Sequence, residues 1–102
     1  IKDEFPDSKI NLKTELLFEK YKLKDNDPCL EIVTNAIEQL GLKPNLKPSG
    51  GGTDGNVFIT KNIKSVVVGM GVTGMHTINE TVSIPDLVDS SNLCQELILS
   101  NC

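Results

Sequence analysis

The sequence predicts an α/β fold, a partial layered sheet flanked by helices, and three observations carry that reading. Val66-Val67-Val68-Gly69-Met70 is a continuous apolar run, as a strand covered on both faces must be. Amphipathic helical patterns lie on either side of it, one from Pro28 and one after Ser83. Glycine-rich loops at Gly50 to Gly55 and Gly69 to Gly74 connect these pieces. Helices interleaved with a buried strand describe a sheet with helices packed on it.

Taken in order, Ile10, Leu12, Thr14, Leu16 and Phe18 alternate with mostly polar neighbours between Lys9 and Phe18. That is the period of a half-buried strand, and a helix over Leu16 to Leu23 competes with it. Asp27-Pro28 reads as an N-cap followed by proline at the first helical position. Leu30, Val33, Ile37 and Leu40 then form one apolar stripe, Gly41 supplies a left-handed stop, and Pro44 bars continuation. Asn45 to Ser49 is predicted as a short strand and Gly50 to Asn56 as a loop. Ser65 to Met70 is placed in the middle of the sheet, Gly69 to Asn79 is an irregular loop, and Glu80 to Ile84 is another short strand. Ser83-Ile84-Pro85-Asp86 has capping-box spacing with an aspartate as the acidic partner. A final helix follows, with Leu87, Cys94, Leu97 and Ile98 on one face.

The 102 residues suffice for one small domain or part of one, and 38% apolar with 24% charged residues is the balance of a folded chain. The net charge is −4, there is no arginine, and the ten lysines are scattered. A nucleic-acid partner is therefore not expected. No apolar run approaches the length of a membrane span and no signal sequence opens the chain, so no membrane partner and a cytoplasmic location are expected. Cys29, Cys94 and Cys102 are odd in number and widely spaced, which fits small buried or terminal thiols better than a disulfide framework. The chain opens on Ile1-Lys2 rather than methionine, and a piece of a longer polypeptide is expected.

Two loops flank the apolar run, and each holds one residue suited to metal or acyl chemistry, Asp54 in the first and His76 in the second. His76 is the only histidine, and no H-x-x-x-H or H-E-x-x-H spacing exists, so it is either one metal ligand or a structural or exposed imidazole. The glycine run is either a cradle of backbone N–H groups for an anion or a flexible strand-to-helix turn. It lacks the Gly-Lys-Ser/Thr of a P-loop, and neither Asp54 nor His76 has a nucleophile elbow nearby. The paired carboxylates Asp3-Glu4 and Asp25 with Asp27 read as solvated surface charges.

The order of the pieces is more specific than any one of them. Gly51-Gly52-Thr53-Asp54-Gly55-Asn56, then His76-Thr77-Ile78-Asn79-Glu80-Thr81-Val82, then Ile84-Pro85-Asp86-Leu87 opening a last helix, resembles the C-terminal end of a zinc metallopeptidase family. That family includes peptidase T-like tripeptidases, succinyl-diaminopimelate desuccinylase, acetylornithine deacetylase and glutamate carboxypeptidases. The resemblance covers roughly Leu23 to Leu99, and the stretch from Lys22-Leu23 to Lys43-Pro44 is most similar to the tripeptidase branch. It implies that residues 1–23 are the tail of a lid or dimerisation domain, including its closing strand, and that residues 24–102 are the C-terminal part of the catalytic domain.

The resemblance further implies that His76 is the last metal ligand of a site for two zinc ions. Gly52, Thr53 and Asp54 would shape the pocket near the substrate carboxylate, and Glu80 would take a structural or ligand-supporting role. The catalytic glutamate and the other ligands would lie in preceding segments, so no catalytic residue is assigned here and the chain alone is expected to be inactive. With those ligands in place, two zinc ions would polarise the scissile carbonyl and activate a water while a glutamate moves its proton. The expected substrate is a short peptide, cut by a tripeptidase-like aminopeptidase. Two alternatives stand beside it: a deacylase of N-acyl amino acids from the same family, and a small non-catalytic anion-binding or assembly domain. Open sheet edges imply self-association or a homodimer.

Overall fold

The computed structural model describes residues 3–100. Three helices order the chain: α1 over Pro28–Gln39, α2 over Asp54–Thr60 and α3 over Ile84–Leu99.

α1 begins and ends as its sequence dictates. Asp27 caps it, its Oδ1 accepting from the Cys29 N–H at 3.0 Å, and Pro28 fills the first turn, where its missing N–H costs nothing. At the other end Gly41 has φ +72°, the Gly41 N–H donates to the Glu38 carbonyl at 2.9 Å, and the Leu42 N–H donates to the Ile37 carbonyl at 3.1 Å. Those two bonds make a complete Schellman stop. The predicted stripe of Leu30, Val33, Ile37 and Leu40 is half-buried, and Ala36 beside it is buried.

α2 was not expected; the run from Gly50 to Asn56, read as loop, ends at Thr53, which caps a helix. Its stop uses the same device as α1 with asparagine in place of glycine. Asn62 has φ +60°, and the Asn62 and Ile63 N–H groups donate to the Ile59 and Phe58 carbonyls, each at 3.0 Å. Asparagine is among the few non-glycine residues that take this conformation readily.

α3 starts at the predicted cap. The Ser83 hydroxyl oxygen accepts from the Asp86 N–H at 3.1 Å and donates to Asp86 Oδ2 at 2.6 Å, so the aspartate closes the box through the serine hydroxyl instead of its backbone. The face of α3 differs from expectation. Leu93 is buried, with Leu97 half-buried beside it, whereas Leu87, Cys94 and Ile98 are exposed. α3 packs against α1, so one narrow seam is covered, and Ile84, Leu87, Val88, Ile98 and Leu99 of the same helix remain exposed.

The sheet expected from the sequence is not formed among the described residues. Residues 9–20, 45–49 and 65–70 lie without ladder partners, and the helix that competed over Leu16 to Leu23 is absent. Val67 and Met70 are exposed, so the valine run is not covered on both faces here. Glu80 to Ile84 gives only an antiparallel bridge, Thr73 to Thr81, before α3 begins at Ile84. A strand exists only through its neighbour's hydrogen bonds, and no described segment supplies one to these runs. Cys29 is half-buried, Cys94 is exposed, and Cys102 and Ile1-Lys2 lie outside the described residues.

Asp27 is more than the solvated charge its polar surroundings indicated. The hydrogen bond from the Cys29 N–H, with the Lys64 ammonium 3.2 Å from Oδ2, holds its carboxyl below the ordinary aspartate value of 3.8. A depressed folded value contributes stability that is present above the unfolded value and lost as pH falls through the folded one. Asp27→Asn keeps a capping side chain but removes the charge. In urea melts of the intact protein the variant is expected to be less stable than wild type at pH 7, with the gap closing below pH 3.8; a gap independent of pH would refute the ionic contribution.

Candidate functional site

The first candidate loop is fixed by a reciprocal cap. Thr53 is extended, its Oγ1 accepts from the Gly55 N–H at 3.2 Å, and its own N–H donates to Asn56 Oδ1 at 2.9 Å. Among the described residues the Thr53 hydroxyl proton has no acceptor, so the group can still donate. Asp54 stands exposed in the first turn, where a carboxylate is favoured by the helix dipole. Among the described residues the backbone N–H groups of Gly52 and Asp54 have no partner. Gly52, Thr53 and Asp54 are therefore brought together at one exposed helix entrance, with two amides and a hydroxyl available to an anionic group.

Two glycines at this entrance lie close against neighbouring side chains. A Cβ on Gly52 would lie 2.1 Å from the Phe18 ring, and one on buried Gly55 would lie 2.9 Å from the Tyr21 hydroxyl and 3.2 Å from Val67 Cγ2. Tyr21 Oη in turn donates to the Ser65 carbonyl at 3.4 Å. Asn56 is 8% exposed, and its Nδ2 donates to the Glu19 carbonyl at 2.8 Å. The segment 18–21 thus lies along the loop and α2. Phe18, Tyr21 and Asn56 were not singled out from the sequence. The Thr53-x-x-Asn56 spacing, a capping box with asparagine for the usual glutamate or glutamine, was the available signal.

The second loop is a hairpin-like excursion closed at Thr73 and Thr81. Their backbones exchange both bonds, at 2.9 and 3.0 Å, and their hydroxyl oxygens lie 3.0 Å apart. Gly71 just before it, and Gly74 and His76 within it, have φ of +70°, +64° and +65°. The glycines have reasons: a Cβ on Gly71 would meet Asp86 Cβ at 2.5 Å, and one on Gly74 would meet the Asn79 carbonyl at 2.8 Å. His76 adopts the same conformation with a full side chain, and its N–H donates to Glu80 Oε2 at 2.8 Å. Glu80 therefore holds the backbone of the histidine, and the imidazole projects from an exposed residue.

His76 fits a metal site as a single donor. Among the described residues no group of three or more His, Cys, Asp or Glu side chains is placed to hold a metal ion, so any remaining ligands would have to come from elsewhere. An exposed groove lined by Asp25, Leu30, Glu31, Glu38, Lys43 and Pro44 includes none of the residues of either loop. No described helix is long and apolar enough to cross a membrane.

Comparison with known proteins places both loops within one matched segment. Residues 9–100 match the description Peptidase family M20/M25/M40. The chain is 31% identical over 87 residues to the protein YqjE of Bacillus subtilis, covering 85% of this chain and 24% of that protein. It is 28% identical to Peptidase T of Limosilactobacillus fermentum, with 90% and 22% covered, and 30% identical to succinyl-diaminopimelate desuccinylase of Helicobacter hepaticus, with 87% and 22% covered. Among solved structures it is similar to aminopeptidase PepT from Bacillus cereus, with a TM-score of 0.78, 31% identity, and 82% of this chain and 22% of that chain covered. The described backbone thus follows the PepT fold, and the chain spans about a quarter of the length of the curated relatives it matches.

The Glu80 clamp is separable from the histidine side chain. Glu80→Ala leaves the His76 N–H without its acceptor, whereas Glu80→Gln retains an amide oxygen. Amide exchange at His76 is expected to rise about tenfold in the alanine variant, the worth of one hydrogen bond, and to change little in the glutamine variant. Equal exchange in all three proteins would show that the carboxylate does not hold this turn.

Proposed function

The chain belongs to peptidase family M20/M25/M40, and on that premise we propose that it is the His76-bearing part of a zinc-dependent, tripeptidase-like aminopeptidase acting on short peptides. The observation that carries the reading is the exposed imidazole of His76 on a left-handed, hydrogen-bonded turn, in a chain whose matched relatives include Peptidase T. Zinc held with the help of His76 would supply Lewis-acid polarisation of the substrate carbonyl.

The chain's own residues would orient the substrate. Gly52 leaves backbone amides open to approach, and the Thr53 hydroxyl can donate to a substrate carboxylate. Asp54, exposed in the first turn of α2, would help to shape the same entrance. With one imidazole as the available metal donor, these residues by themselves are expected not to hydrolyse peptides. In this reading, 9–18, 45–49 and 65–70 are strands of a sheet completed by other polypeptide, residues 1–23 close a lid or dimerisation domain, and residues 24–102 belong to the catalytic domain. The protein would be cytoplasmic and self-associating, with neither nucleic acid nor membrane as partner.

A second reading, hydrolysis of N-acyl amino acids, is supported by the similarity to succinyl-diaminopimelate desuccinylase. Assay of the intact protein on tripeptides and on N-succinyl amino acids separates the two.

The histidine is tested with a substitution that respects its backbone. His76→Asn keeps a residue that tolerates positive φ and removes the imidazole. In the intact protein, metal content is expected to fall by about one equivalent and tripeptide turnover by roughly 100-fold or more, since even residues that only support ligands cost 10–100-fold. Unchanged metal content and turnover would remove the peptidase assignment from His76.

A further inference from the structure

Asn56 makes two bonds with one amide, and they face different parts of the chain. Its Oδ1 accepts from the Thr53 N–H at 2.9 Å, which closes the helix cap and fixes the end of the glycine loop. Its Nδ2 donates to the Glu19 carbonyl at 2.8 Å, thirty-seven residues earlier in the chain. The residue is 8% exposed, so neither bond is readily replaced by water. One residue before Glu19, the Phe18 ring occupies the space where a Gly52 side chain would stand. Two residues after it, Tyr21 reaches across to the Ser65 carbonyl and lies against Gly55. Segment 18–21 is thus fastened to the loop at Gly52, at α2 through Asn56, and at the start of the valine run.

We infer that Asn56 is a positioning residue for the substrate loop, holding Gly52 and Thr53 in register with segment 18–21 through its Nδ2 bond to the Glu19 carbonyl. The inference rests on the proposed peptidase reading for its substrate, but the coupling itself is a property of the chain. It assigns the two halves of the Asn56 amide different work. The oxygen serves the local helix, as any capping-box side chain does, and the nitrogen ties that helix start to a distant segment. If segment 18–21 shifts, the Phe18 ring and the Glu19 carbonyl carry the loop with it, because both contacts fall on residues 52–56. The expected consequence of cutting the tie is weaker substrate binding with little change in the chemical step.

Asn56→Asp separates the two roles, because a carboxylate still accepts from the Thr53 N–H but cannot donate to the Glu19 carbonyl. In the intact protein, amide exchange at Thr53, whose N–H is held at 2.9 Å by residue 56, is expected to rise about tenfold while residues 57–60 of α2 stay protected. KM for a tripeptide is expected to rise about tenfold with kcat within about threefold, as loss of one buried hydrogen bond predicts. Phe18→Ala, which leaves the cap untouched, is the second variant should the first not fold, and it is expected to move the same exchange and KM in the same direction. Wild-type exchange at Thr53 in both variants would overturn the inference, as would uniform loss of protection through α2, which would mark Asn56 as a helix cap alone. A wild-type protein without peptidase activity would instead remove the proposed function, and the exchange arm would still decide the tie.

Discussion

The described conformation rests on local hydrogen bonding at turns and helix ends because there is little core to hold it. Ala36 and Leu93 are the buried apolar residues among those described, at 4% and 8% exposure. The radius of gyration is 19.3 Å, against about 13 Å for a compact chain of similar length. A single hydrogen bond is worth about 1 kcal/mol, less than one fully buried large apolar side chain at about 1.5–3 kcal/mol. Leu12, Leu16, Leu17, Ile84 and Ile78 all remain exposed, so most of the hydrophobic stabilisation that the composition permits is not realised within these residues. Both candidate loops must then be held by polar contacts, and each is.

The two loops solve the same problem in related ways. In each, a side chain acceptor takes a backbone N–H that the turn would otherwise leave free: Asn56 takes that of Thr53, and Glu80 takes that of His76. Each also places glycine where a neighbouring group leaves no space for a side chain, Phe18 over Gly52 and Asp86 over Gly71. The difference lies in what they touch. The first loop is tied to a distant segment through the Asn56 amide, whereas the second closes on itself through Thr73 and Thr81 and meets the start of α3 at Asp86.

Much of this was legible in the sequence where the deciding interaction is local. Asp27-Pro28, the stripe to Leu40 and the Gly41 stop specify α1 within sixteen residues, and Ser83 to Asp86 specifies the start of α3. α2 was missed because three consecutive glycines precede it and its cap partner is asparagine, while its stop is Asn62 in a role usually taken by glycine. The packed face of α3 was misjudged for a different reason. Ile84, Leu87, Val88, Leu93, Leu97, Ile98 and Leu99 surround the helix, so periodicity does not single out the seam that meets α1. Strand propensity in 9–18 and 65–70 likewise identifies extended segments without identifying a neighbour, and a ladder needs both. Gly52, Thr53 and Asp54 are singled out by the order of the motifs, but the contacts of that loop and α2 with Phe18, Glu19 and Tyr21 span more than thirty residues and leave no periodic trace.

The backbone of His76 carries the remaining step of the argument. A residue with a Cβ at φ +65° carries a cost of order 1–2 kcal/mol that glycine would avoid, and the same loop uses glycine for this conformation at Gly71 and Gly74. Here the strain is held in place by the Glu80 carboxylate and by the Thr73 to Thr81 closure on either side. The imidazole makes no buried contact that would repay the strain through packing, since the residue is exposed. Strain of this kind persists where surrounding structure over-determines it, and it directs attention to what the side chain does outside the turn. An imidazole presented to solvent on a clamped turn is suited to donate a lone pair to a group that the rest of a site would hold.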